Sequence, residues 1–211
     1  MKKLIIFDMD GTINDSSPGI TYCFRKTCEH YGKTDVSDEL LRTRLCGPFM
    51  DNLKSIVGIN DSQIPEAVDF YVKHYASEGQ AMARLFPDIS DVIRTLKDSG
   101  YRLAIATLMA EKYAVMTLKK ESIYDLFETV HGASFEVEYT KRDLLEQCLD
   151  STGVSVRDTI MIGDGIDDYL SAKGMGMDFI AAGYGYELDP GFCEGHGLRY
   201  VRDPKGLLDV L

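Results

Sequence analysis

Short, uninterrupted apolar runs recur along the chain, and each has the length of a strand that is buried on both faces. The first run covers residues 3–8, ends in the carboxylate of Asp8 and is followed by a glycine turn. Similar runs lie at 102–107, 159–163 and 178–182, with weaker candidates at 129–131 and 198–201. Together they predict a parallel sheet with both faces covered.

Stretches with apolar residues at helical spacing separate these runs. In the second half of the chain they cover residues 89–99, 110–121, 141–152 and 167–174. Strands and helices that alternate at this spacing predict βαβ units with right-handed crossovers. The predicted fold class is therefore α/β, a Rossmann-like three-layer core around a parallel sheet.

Residues 16–84 follow a different pattern, because they contain no convincing strand. Their apolar residues keep helical spacing in four stretches, at 20–31, 38–44, 49–57 and 62–79. Four helices directly after the first strand predict an all-helical cap domain inserted into the α/β core. We expect residues 1–15 and 85–211 to form the core domain and residues 16–84 the cap.

The acidic composition limits the possible partners. The 211 residues carry a formal net charge of −11 and a pI near 4.8, which argues against binding to nucleic acid or to an anionic membrane. The apolar runs are too short for a signal peptide or a membrane span, and the five scattered cysteines are typical of free thiols in a reducing cytoplasm. We expect a cytoplasmic protein, either monomer or dimer.

Two carboxylates follow the first strand. Asp8 lies at its carboxyl end, and Asp10 lies two residues further, beside Gly11, which allows a tight turn. Open α/β sheets place ligand sites at the carboxyl ends of their strands. Two carboxylates in one pocket repel each other unless they share a cation or a proton. A functional site is favoured over an ordinary Asp-x-Asp-Gly surface turn.

A second acidic cluster follows the run at 159–163. Asp164 lies at the strand end and Asp168 in the first turn of the next helix, where a carboxylate also complements the helix dipole without any further role. Because both clusters follow strand ends, we favour a shared site for Mg²⁺, which prefers oxygen ligands. Thr107 at another strand end and Lys141 at a helix start supply a hydroxyl and an ammonium for a phosphoryl group.

These residues occur in an order that resembles the haloacid dehalogenase (HAD) superfamily. The four motifs are Asp8-Met9-Asp10-Gly11-Thr12, Ala104-Ile105-Ala106-Thr107, Lys141, and Gly163-Asp164 with Asp168. The helical insertion after the first motif is similar to the C1-capped subfamily, which includes phosphoglycolate phosphatases. This chain differs from many relatives in the residues that follow two of the motifs. Here Leu108-Met109 follows Thr107, and Arg142 follows Lys141.

The resemblance implies a hydrolase, a magnesium-dependent phosphatase that acts on a small phosphorylated metabolite through an aspartyl phosphate on Asp8. Asp10 is then the general acid and base, and its presence favours phosphoryl chemistry, since a halide leaving group needs no proton. Thr107 and Lys141 hold the phosphoryl oxygens. The implied Mg²⁺ ligands are Asp8, the backbone carbonyl of Asp10, Asp164 and Asp168, the last directly or through water.

Two other functions stay open: a phosphosugar mutase with the same core, and a non-catalytic binding protein on a HAD-like core. Substrate choice is expected to depend on the cap. The candidate contacts are Arg42, Arg44, Lys54 and the loop around Gly47, although these positions also fit solvated helix surfaces. Phosphoglycolate is the substrate that the resemblance favours, while nucleotides, sugar phosphates and pyrophosphate also fit the core.

Overall fold

The computed structural model describes residues 3–43, 45, 49–134, 137 and 139–211. The chain forms two compact units, one made of Met1–Asn14 with Leu85–Leu211 and the other of Asp15–Arg84. Within the described ranges, no helix combines the length and the apolar character needed to cross a membrane.

The described residues form eight strands, six of which build one parallel sheet. The strands are β1 (Leu4–Phe7), β2 (Asn14–Asp15), β3 (Arg84–Leu85), β4 (Arg102–Ala110), β5 (Thr129–Ala133), β6 (Thr159–Gly163), β7 (Asp178–Ala182) and β8 (Tyr200–Val201). The large sheet has the order β5-β4-β1-β6-β7-β8, and β2 pairs with β3. The predicted α/β fold class with a parallel sheet is confirmed.

Helices connect these strands and also make up most of the unit Asp15–Arg84. They are α1 (Ser17–His30), α2 (Asp38–Arg42), α3 (Phe49–Val57), α4 (Ile64–His74), α5 (Gln80–Met82), α6 (Ile89–Asp98), α7 (Glu111–Lys120), α8 (Lys141–Thr152), α9 (Ile166–Met175), α10 (Pro190–His196) and α11 (Leu207–Val210). Short 3₁₀ turns lie at Asp61–Gln63, Tyr124–Leu126, Val156–Asp158 and Pro204–Gly206.

The two faces of β1 are covered by different helices, because successive side chains of a strand point to opposite faces of the sheet. Ile5 and Phe7 pack with apolar residues of α6 and α7, whereas Leu4 and Ile6 pack with those of α8 and α9. All four side chains are fully buried. Burial on both faces explains why β1 appears in the sequence as an unbroken apolar run.

The unit Asp15–Arg84 has an apolar core of its own. Its buried side chains include Phe24, Leu53 and Ile56, which α1 and α3 contribute. Helix α4 continues into a π-helical segment, Tyr75–Gly79, which packs against α1. A Cβ atom on Gly19 would lie 2.1 Å from the carbonyl oxygen of Gly79, so this approach requires glycine.

The element bounds differ from the prediction in a few places. Helix α1 begins at Ser17 rather than at residue 20, because Pro18 is well tolerated in the first turn of a helix. The predicted stretch 62–79 is divided among a 3₁₀ turn, α4 and the π-helical segment. Helix α10 was not predicted, since two glycines among its seven residues weaken the helical pattern.

Candidate active site

Three adjacent strands bring polar residues to the same edge of the sheet. Strand β1 leads into Asp8, β6 leads into Asp164, and β4 carries Thr107 near its carboxyl end. Because β1 pairs in parallel with both β4 and β6, all three carboxyl ends lie side by side. The backbone N–H of Asp8 donates to the carbonyl of Ile162 at 2.9 Å, which extends the pairing to the site itself.

A cluster of buried carboxylates occupies this edge. Asp8, Asp164 and Asp168 each offer a carboxylate oxygen, and these oxygens all lie within 4.8 Å of one another. Their residues are only 7%, 2% and 2% exposed. Among the described residues this is the one group of three or more potential metal ligands at such distances. Ionised carboxylates at these distances repel each other strongly unless positive charge lies among them.

Lys141, the first residue of α8, brings one positive charge into the cluster. Its Nζ lies 2.5 Å from Asp8 Oδ1 and 2.8 Å from Asp168 Oδ1, and it also donates to the carbonyl of Ala106 at 3.0 Å. Burial by itself would lower the pKa of Lys141, but the charges of Asp168 and Asp8 raise it above its usual value. Lys141 is therefore charged at neutral pH.

The single positive charge of Lys141 does not balance the charge of three ionised carboxylates in the cluster. Burial raises the pKa of Asp164 well above its usual value, and the charges of Asp8 and Asp168 act in the same direction. Burial also raises the pKa of Asp168 to about 6, although Lys141 opposes the shift. The site therefore favours either bound protons or an additional cation.

The donor chemistry of the cluster fits a divalent cation such as Mg²⁺. All three side chains offer hard carboxylate oxygens, which are the ligands that this ion prefers. Asp168 Oδ1 is buried and lies near Lys141 Nζ, yet in the described part of the chain no donor makes a well-directed hydrogen bond to it. Such an oxygen retains a lone pair for a metal ligand bond.

The loop after β7 holds Asp164 in place. The backbone N–H of Tyr186 donates to Asp164 Oδ2 at 2.8 Å, and the hydroxyl of Thr12 donates to Asp164 Oδ1 at 3.2 Å. The phenol of Tyr184 donates in turn to the carbonyl of Thr12 at 2.9 Å. Both oxygens of Asp164 thus have fixed donors, which restricts the orientation of the carboxylate.

The other predicted site residues lie in different settings. Asp10 is half-buried, lies outside the three-carboxylate cluster and accepts a hydrogen bond from Asn14 Nδ2 at 3.2 Å. Thr107 is buried, and its hydroxyl oxygen accepts from the backbone N–H of Met109 at 3.1 Å. The predicted substrate contacts Arg44 and Gly47 lie outside the described residues.

Two further candidate contacts of the helical unit lie in described residues. Arg42 is exposed, and Lys54 forms an ion pair with Asp61 at 2.5 Å. Both positions are compatible with ordinary solvated helix surfaces.

A family model described as "Haloacid dehalogenase-like hydrolase" matches residues 5–182. The chain belongs to this family. The match begins within β1 and ends with β7, so it includes every member of the carboxylate cluster and Lys141. The resemblance inferred from the four motifs is confirmed.

The relatives of this HAD-family protein are named for different activities. Tyrosine-protein kinase PtkA from Mycobacterium tuberculosis is 35% identical over 185 residues, which are 87% of this chain and 63% of that protein. This chain therefore spans about 63% of the length of that relative. A phosphoglycolate phosphatase from Mannheimia succiniciproducens is 26% identical over 219 residues, covering 99% of this chain and 98% of that protein.

A solved structure has a similar fold. It is a hydrolase of the haloacid dehalogenase-like family from Streptococcus pneumoniae, with a TM-score of 0.90 and 28% identity. The match covers 99% of this chain and 98% of the other.

Some contacts of this HAD-family site were not predicted. Glu187 Oε2 accepts a hydrogen bond from the backbone N–H of Ile166 at 2.6 Å and so caps the start of α9, next to Asp168. A residue 21 positions after its partner gives no local capping pattern in the sequence. The phenol of Tyr184, which also was not predicted as a contact, donates to the carbonyl of Thr12 in the first motif.

Proposed function

We propose that this protein is a magnesium-dependent phosphatase that hydrolyses a small phosphorylated metabolite through an aspartyl phosphate on Asp8. The observation that carries the proposal is the ion pair between Lys141 and Asp8 inside the buried carboxylate cluster. An anionic nucleophile attacks an anionic phosphate only where fixed positive charge offsets their repulsion. Lys141 supplies such charge beside Asp8.

The proposed reaction has two steps. The carboxylate of Asp8 attacks phosphorus, a new P–O bond forms, and the bond to the leaving oxygen breaks while Asp10 gives that oxygen a proton. Asp10 then takes a proton from water, which attacks the phosphoryl group and releases phosphate and free Asp8. Lys141 and Thr107 would orient the phosphoryl oxygens during both steps.

Asp8, Asp164 and Asp168, with the carbonyl of Asp10, would hold Mg²⁺, which would supply positive charge to offset the repulsion between Asp8 and an anionic phosphate. The raised pKa values of Asp164 and Asp168 support this assignment, because three buried carboxylates without a cation do not all ionise readily. The fixed orientation of Asp164 supports it as well, since an oriented ligand loses little freedom when it binds an ion.

We also propose that the helical unit Asp15–Arg84 acts as the cap that selects the substrate. The chain enters this unit directly after the first motif and leaves it directly before α6. A phosphoglycolate-like compound is the preferred candidate, because a relative that matches nearly the whole of both chains is named phosphoglycolate phosphatase.

A second candidate function is phosphoryl transfer to a protein tyrosine. It is favoured by the relative named tyrosine-protein kinase, which shares more identity with this chain than the phosphoglycolate phosphatase does. The two functions differ in the acceptor of the phosphoryl group, which is water in one case and a tyrosine hydroxyl in the other.

Phosphate release from a panel of compounds tests the proposal. The panel contains phosphoglycolate, nucleotides, sugar phosphates, pyrophosphate and p-nitrophenyl phosphate, each with Mg²⁺ and with excess EDTA. We expect release from at least one metabolite with Mg²⁺, loss of that release in EDTA, and its return when Mg²⁺ is added again. The folded, magnesium-loaded protein releasing no phosphate from any compound would contradict the proposal.

The same samples distinguish the alternatives. Transfer from ATP to a tyrosine peptide without phosphate release would favour the kinase. An isomerised sugar phosphate without free phosphate would favour a mutase. Absence of all three reactions would favour a non-catalytic binding protein.

Gly185 offers a test of the role of Asp164. A Cβ atom at this position would lie 2.3 Å from the Asp164 Cβ and 2.4 Å from the carbonyl oxygen of Gly11. We expect Gly185→Ala to displace Asp164 and to lower phosphate release about 100-fold, since a shift of about 1 Å in a positioned group has this effect. Titration with Mg²⁺ should show weaker apparent affinity.

The matched control is Gly174→Ala in α9, where a Cβ atom meets nothing within 4 Å. This variant should keep the activity of the wild type. A Gly185→Ala protein with normal turnover and normal magnesium affinity would show that the position of Asp164 is unimportant.

A further inference from the structure

Asn14 is a fully buried polar residue beside Asp10. Its Nδ2 donates to Asp10 Oδ1 at 3.2 Å, and its side chain has no solvent exposure. No donor among the described residues reaches its other polar atom, Oδ1, which is also buried. Among the residues that the structure describes, the side-chain amide therefore has one partner, the carboxylate of Asp10.

The backbone keeps Asn14 at a fixed distance from Asp10. The N–H of Asn14 donates to the carbonyl of Met9 at 2.8 Å, and the carbonyl of Asn14 accepts from the N–H of Gly11 at 2.9 Å. These two bonds are made by main-chain atoms on either side of Asp10. They close the turn without any contribution from the Asn14 side chain, so the turn does not explain the amide.

Packing does not explain the amide either. A buried carbonyl oxygen without a donor destabilises the folded state, whereas an apolar side chain of the same shape would bury no unpaired atom. The unpaired Oδ1 of Asn14 therefore needs a reason other than packing.

We propose that Asn14 is a positioning residue that holds the carboxyl group of Asp10 in the orientation needed for proton transfer to the leaving oxygen. The inference rests on the proposed function, in which Asp10 gives that proton. Proton transfer requires a donor within hydrogen-bond reach of the oxygen, and a fixed side-chain rotamer provides this at little entropic cost. The unpaired Oδ1 is then the stability cost of placing an N–H donor next to Asp10.

The test compares two leaving groups in Asn14→Leu, a near-isosteric apolar variant. An alkyl phosphate such as phosphoglycolate leaves as an alkoxide and needs a proton, whereas p-nitrophenyl phosphate releases a stable phenolate that does not. We measure kcat/KM, because it reports the steps up to the first irreversible one and so excludes hydrolysis of the aspartyl phosphate. Thermal unfolding is measured on the same preparations.

We expect Asn14→Leu to lower kcat/KM for the alkyl phosphate by about 10-fold or more, within the range of general acid catalysis. The value for p-nitrophenyl phosphate should change by less than about 3-fold, since its leaving group does not use the acid. The melting temperature should stay the same or rise, because the unpaired carbonyl oxygen is removed. A merely structural role would lower the melting temperature and both kcat/KM values together.

Asn14→Ala serves as the second variant if leucine does not fit, and it should change the ratio of the two kcat/KM values in the same direction. The matched control is Thr159→Val, which removes another fully buried polar group at the opposite end of the sheet. The ratio of the two kcat/KM values in this control should equal that of the wild type. An unchanged ratio in both Asn14 variants overturns the inference and leaves the phosphatase intact. A wild type that is inactive on every compound of the panel overturns the proposed function and this inference with it.

Discussion

Asp8→Asn should reduce magnesium-dependent phosphate release by at least about 10⁴-fold, because removal of a catalytic nucleophile has an effect of this size or larger. An amide oxygen is a far weaker nucleophile than a carboxylate and does not form the aspartyl phosphate. The substitution conserves shape and removes one of three buried carboxyl groups, so the variant should fold. Phosphate release and thermal unfolding are measured with the preferred compound of the panel.

The comparison needs two controls. Mass spectrometry of the purified Asp8→Asn protein excludes deamidation, which would regenerate the nucleophile. Asp167→Asn changes an exposed aspartate in the first turn of α9, one residue before Asp168, and should keep full activity. Phosphate release retained in a deamidation-free Asp8→Asn protein would contradict the aspartyl-phosphate mechanism.

The fold was predictable where local sequence has one physical interpretation. Strand β1 is apolar at every position because helices cover both of its faces, so its run of four residues indicated a central parallel strand. The same reasoning located the strand ends, and hence Asp8 and Asp164 at one edge of the sheet. Helix α8 was predicted with its observed bounds, and in the structure Thr140 and Asp143 form a capping box at its start.

The site was less predictable wherever a contact joins distant parts of the chain. Lys141 lies 133 residues after Asp8, so sequence spacing does not predict their ion pair, and the helix start and the family resemblance indicated only a shared site. The bonds from Tyr186 to Asp164 and from Ile166 to Glu187 span about twenty residues and depend on how the loop after β7 folds back. Asn14 was not singled out, because a lone asparagine after an apolar residue gives no signal of burial.

The cluster also illustrates a conflict between stability and chemistry. Three buried carboxylates favour cation binding, but they oppose folding while the cation is absent. Lys141 relieves part of this repulsion permanently, since it contacts both Asp8 and Asp168. We infer that the lysine has two tasks in the proposed enzyme: it stabilises the magnesium-free fold and it orients the phosphoryl group.

Lys141→Met should destabilise the magnesium-free protein by about 3–5 kcal/mol at neutral pH, because loss of one partner leaves the others as uncompensated buried charges. Thermal or urea unfolding with EDTA measures the change. The matched control is Lys120→Met, an exposed lysine whose nearest carboxylate, that of Glu121, lies 3.8 Å away. Its effect should stay within about 0.5 kcal/mol.

The pH dependence of Lys141→Met gives the sharper result. Burial holds the pKa of Asp168 at about 6 in the folded wild type, above the usual 3.8, so this group contributes stability that is full below pH 3.8 and lost as the pH rises through 6. Without Lys141 that pKa should rise further, so the loss becomes larger and extends to higher pH. Added Mg²⁺ should restore more stability to the variant than to the wild type, since it replaces the missing positive charge. A variant whose stability follows the wild-type pH profile, with or without Mg²⁺, would show that Lys141 does not balance the charges of Asp8 and Asp168.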